Sequence, residues 1–93
     1  MRAYELTVII HPDLDETALG EVVERIRGWI AADGGSVDKV DLWGRRRMAY
    51  SIRKQFEGQY VFMQTTMAQK SLAGLERNLR FLEPVMRYLL IAN

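Results

Sequence analysis

The sequence has no cysteine and a single histidine. Without thiols it has no disulfide framework, no thiolate nucleophile and no zinc-thiolate site. His11, between Ile10 and Pro12, has no second histidine or convergent carboxylate set to complete a metal centre or a catalytic group, and it reads as a turn residue. No glycine-rich phosphate loop, nucleophile elbow or Ser/His/Asp set occurs either. No enzyme activity, metal or cofactor is therefore expected. Long apolar runs are also missing, and residues 1–10 do not show the charged, apolar and small-residue order of a signal peptide. The expectation is a soluble cytoplasmic protein with no membrane partner and no small-molecule substrate.

What is present fits one domain over residues 1–93, 48% hydrophobic and 27% charged, with a single core. The net charge of +1 hides an uneven distribution. Residues 1–42 carry nine acids against four bases, and residues 43–93 carry nine bases against three acids. Such asymmetry within one domain suits one surface to a polyanion and another to something else.

Hydrophobic periodicity lays out six elements. Tyr4, Leu6, Val8 and Ile10 alternate along a first strand over residues 2–10. Asp13, Asp15 and Glu16 supply N-terminal capping for a helix whose apolar stripe is Leu19, Val22, Val23, Ile26, Trp29 and Ile30, stopped by Gly34 and Gly35. A long strand follows over residues 36–54, bent at Gly44, with Gly58 as the turn into a third strand over residues 59–67. A second helix over residues 69–80, with Leu72, Leu75, Leu79 and Leu82 on one face, precedes a last strand over residues 85–92. The βαββαβ order predicts an α+β, ferredoxin-like plait, a four-stranded antiparallel sheet with two helices on one face and the other face uncovered. Leu6, Val8, Ile26, Ile30, Leu75 and Leu79 are the expected core, and Leu42 should matter less to stability if its strand is peripheral.

Two features point beyond the fold. On the third strand Tyr60, Phe62 and Gln64 share the face assigned to the uncovered side, which suits a protein partner better than base stacking, since Glu57 stands where RNA-stacking plaits carry a base. In the second strand, Arg45, Arg46 and Arg47 stand in a row, and alternation sends them to both sides. Such a run can merely guard a sheet edge. Contiguity, the choice of arginine over lysine, and the nearby Arg53 and Lys54 favour phosphate contact, because guanidinium groups present a planar fork of donors. Arg2 and Arg87 are weaker candidates at other strand ends.

The stretch Gly44-Arg45-Arg46-Arg47-Met48-Ala49-Tyr50-Ser51-Ile52-Arg53 resembles the signature of the bacterial small-subunit ribosomal protein S6 family, with Met48 where leucine is usual. The opening through Tyr4 and Glu5, the Pro12-Asp13-Leu14-Asp15 turn, Gly34 and Gly35, and the segment from Leu79 to Arg87 are similar too. The resemblance implies a structural constituent of the small subunit that binds small-subunit (16S) ribosomal RNA in the platform and pairs with ribosomal protein S18. Read from its residues alone, the chain also fits a ligand-sensing regulatory plait that dimerises through its sheet. An acylphosphatase-like enzyme would need a phosphate-cradling loop that is not recognisable.

Overall fold

A computed structural model describes residues 1–93. Its elements are β1 (Arg2–Ile10), α1 (Glu16–Ala32), β2 (Ser36–Ile52), β3 (Gln55–Met67), a 3-10 turn (Gln69–Ser71) leading into α2 (Leu72–Phe81), and β4 (Val85–Ala92). The strands form one antiparallel sheet in the order β2-β3-β1-β4, and both helices cover the same face. This is the plait expected from periodicity.

The core follows the apolar pattern. Tyr4, Leu6, Val8 and Ile10 of β1 are buried together with Val61, Met63 and Met67 of β3, against Leu19, Val22, Val23, Ile26 and Ile30 of α1 and Leu75 and Leu79 of α2. Burying each large aliphatic side chain is worth about 1.5–3 kcal/mol relative to leaving it in water. Trp29, expected on the same stripe, is only half-buried at the margin of this core. Leu42 is exposed on β2, which is an edge strand of the sheet.

Local chemistry starts and stops α1. Asp15 is its N-cap, accepting from the Ala18 amide at 2.8 Å, and Glu16 follows in the first turn, where negative charge meets the free amides. The helix closes at Gly34 and Gly35, whose amides return to the carbonyls of Ala31 and Ile30. No helix is long and apolar enough to cross a membrane.

Two details of β2 and β3 bear on the periodicity reading. The expected bend at Gly44 is there: its φ is +79°, and the register with β3 shifts between Leu42 and Gly44, leaving Trp43 as the extra residue of a bulge. The hairpin turn, however, is not at Gly58. It is made by Arg53 and Lys54, and β3 begins at Gln55, four residues earlier than expected. Gly58 lies inside β3, opposite Arg46, where any Cβ would collide with Ile9 Cγ2. Glycine is needed at that position for a close approach of strands, not for a turn.

Candidate nucleic-acid and partner interface

β1 ends at Ile10, opposite Gln59, but β2 and β3 run on as a two-stranded arm. Arg45 and Arg46 pair there with Gln59 and Gly58, Arg47 with Glu57, and Ile52 with Gln55 next to the turn. The arm leans over the uncovered sheet face. Met48 is the one buried residue of β2, and with Tyr50 and Ile52 it faces Ile9, Tyr60 and Leu89 across an apolar cavity of about 340 Å³. Periodicity gave no signal for Met48 as an anchor, because it stands among exposed neighbours.

The basic residues of the arm differ in what they touch. Arg45 Nη2 donates to the Pro12 carbonyl at 2.9 Å, and the same side chain lies 3.7 Å from carboxylate oxygens of both Asp13 and Glu57. Asp13 therefore meets Arg45, and the capping role expected of it falls to Asp15 alone. Arg46 lies on the opposite side of the strand, its guanidinium 5.6 Å from the centre of the Trp43 ring. Arg47 and Lys54 are exposed and have no hydrogen-bond or ion-pair partner within the chain. Arg53, though exposed, donates to the backbone carbonyls of Glu83 and Val85. Arg87 of β4 joins the group from across the sheet, 5.7 Å from the ring centre of Tyr50.

Arg2 does not join it. It begins β1, eight residues from Ile10 and so about 26 Å away along an extended strand. The structure thus gathers Arg45, Arg46, Arg47, Arg53, Lys54 and Arg87 at one end of the sheet and leaves Arg2 at the other.

Beside this cluster the uncovered face is apolar. Tyr60 and Phe62 are half-buried and Gln64 is exposed, aligned opposite Ile9, Thr7 and Glu5 of β1. Trp43 stacks on Phe62 with ring centroids 5.6 Å apart and planes inclined by 9°. Sequence reasoning missed Trp43: the irregularity at Gly44 was expected, but not that Trp43 would be its extra residue and stack on this face. Leu89 and Ile91 extend the apolar surface along β4 with half of each side chain exposed. Three of the acids, Glu16, Glu21 and Glu24, line a groove between α1 and β2 on the helix side.

Comparison with known proteins decides the family. The family model for ribosomal protein S6 matches residues 3–92. The chain belongs to the bacterial ribosomal protein S6 family. A small ribosomal subunit protein bS6 from Nocardia farcinica is 46% identical over 87 residues, covering 94% of this chain and 92% of the relative. Another from Carboxydothermus hydrogenoformans is 41% identical over 91 residues, covering 98% and 95%. The crystal structure of 30S ribosomal protein S6 from Thermotoga maritima superimposes with a TM-score of 0.92 at 31% identity, over 99% of this chain and 87% of that one. Membership of the S6 family agrees with the arginine-rich signature of residues 44–53 and removes the enzyme reading.

Proposed function

We propose that this chain is a structural constituent of the small ribosomal subunit, cytoplasmic and ribosome-bound, that binds 16S ribosomal RNA in the platform together with ribosomal protein S18. One observation carries the reading: a chain of the S6 family displays Arg46, Arg47, Lys54 and Arg87 at one end of an uncovered apolar sheet face. The exposed cations supply phosphate contacts, and the aromatic face supplies the seat for a protein partner. Arg45 contributes less, because a carbonyl and two carboxylates already hold it. Arg2 is a separate, peripheral contact. The partner seat is Tyr60, Phe62 and Gln64, widened by Trp43.

The test is the salt dependence of RNA association. In the presence of S18, replacing Arg46, Arg47 and Lys54 with glutamine should weaken binding to small-subunit ribosomal RNA. The slope of log K against log salt should flatten by roughly 0.7–0.9 for each phosphate that is no longer neutralised. An unchanged slope would reduce the run to an edge guard. Saturable stabilisation by a small ligand, with no RNA binding, would instead support the sensing plait.

A further inference from the structure

The turn at the tip of the arm is unusual for its sequence. Arg53 and Lys54 both have positive φ, +51° and +65°. Two-residue hairpin turns of that kind are normally built from Asn-Gly or Asp-Gly, because a side chain with a Cβ is strained in the left-handed region. Such strain persists where surrounding contacts over-determine the conformation. Here the contacts come from the Arg53 side chain, whose Nη1 donates to the Glu83 carbonyl at 2.7 Å and whose Nη2 donates to the Val85 carbonyl at 3.2 Å. Between them the Pro84 carbonyl accepts from the His11 amide at 2.9 Å. Three successive carbonyls at the entry to β4 thus tie together the tip of the arm and the end of β1.

We propose that Arg53 is a positioning residue, a latch that fixes the arm against the start of β4, and that it makes no phosphate contact. Only the purpose of the latch, the presentation of Arg46, Arg47 and Lys54 to RNA, rests on the ribosomal reading. Both terminal nitrogens of Arg53 are engaged on carbonyls, which takes up its end-on fork and holds the guanidinium against the start of β4. A lysine at this position would keep the charge but could not span the two carbonyls with a fixed planar fork.

The proposal is tested by pairing amide hydrogen exchange with RNA binding in Arg53→Gln, Arg53→Lys and, for contrast, Arg47→Gln. Both Arg53 variants should speed exchange across residues 46–58 at least tenfold while Leu6 and Val8 in β1 keep their protection. With small-subunit ribosomal RNA and S18 as the probe, Arg53→Gln should lower affinity severalfold at every salt concentration without changing the salt slope. Arg47→Gln should do the reverse, flattening the slope and leaving exchange alone. A flattened slope in Arg53→Gln overturns the proposal, since Arg53 would then be a phosphate ligand. Unchanged arm exchange overturns it too, as does acceleration that Leu6 and Val8 share equally. If the unsubstituted protein fails to bind RNA at all, the ribosomal reading falls, and the exchange comparison alone still decides the latch.

Discussion

Asp38 shows how one side chain couples this fold to pH. Its carboxylate accepts from Thr66 Oγ1 at 2.7 Å and Ser36 Oγ at 2.8 Å, and these bonds hold its pKa below the usual aspartate value, with Thr66 the larger cause. A carboxyl with a depressed folded pKa contributes stability above its unfolded pKa, near 4, and loses it as pH falls through the lower folded value. Asp38→Asn should therefore be less stable than the unsubstituted chain at pH 7, with the gap closing below about pH 4 in urea titrations. A gap that stayed constant down to pH 3 would mean the bonds do not depend on charge. Burial sets a different contrast at Leu79, fully inaccessible, and Leu42, 59% exposed. Leu79→Ala should cost about 2–5 kcal/mol and Leu42→Ala no more than about 0.5 kcal/mol in the same titrations.

Among the elements, the β2–β3 arm is the least like its sequence reading. Gly58→Ala should destabilise the chain by about 1–3 kcal/mol through overpacking against Ile9. The penalty should shrink in an Ile9→Ala background, and a double-mutant cycle without coupling would reject that contact as the cause. The other elements were legible because each carries one apolar face of fixed period: β1, α1, β4 and the leucine stripe of α2 stand where alternation and helical spacing put them. At the arm the local signals mislead. Glycine marks turns in most sequences, yet Gly58 serves a close approach, while the true turn uses arginine and lysine, which no turn preference favours. The cluster of basic residues was legible as composition, but its division was not. That Arg45 meets Pro12 and Arg53 meets Glu83 depends on contacts between residues at least thirty positions apart, which only the assembled sheet brings together.

At the scale of the whole molecule, a basic arm adjoins an apolar face, an arrangement that on the proposed function seats RNA and partner side by side. Trp43 and Phe62 form the stacked aromatic centre of that face, the residue type that dominates interface energetics. On the proposed function, Phe62→Ala should weaken S18 binding by more than about 1 kcal/mol, measured by calorimetry, and lower RNA affinity only when S18 is present. Equal loss of RNA affinity with and without S18 would make Phe62 a base-stacking residue instead. The strand order has a further consequence, for the birth of the chain. β1, made first, lies inside the sheet, and its two neighbours are β3 and the last-made strand, β4. During synthesis residues 2–10 can join the β2–β3 hairpin while their other edge stays bare, a template for stray pairing between nascent chains. That edge is covered only once residues 85–92 have left the exit tunnel, so the sheet closes after translation of β4 and not progressively from the N-terminus.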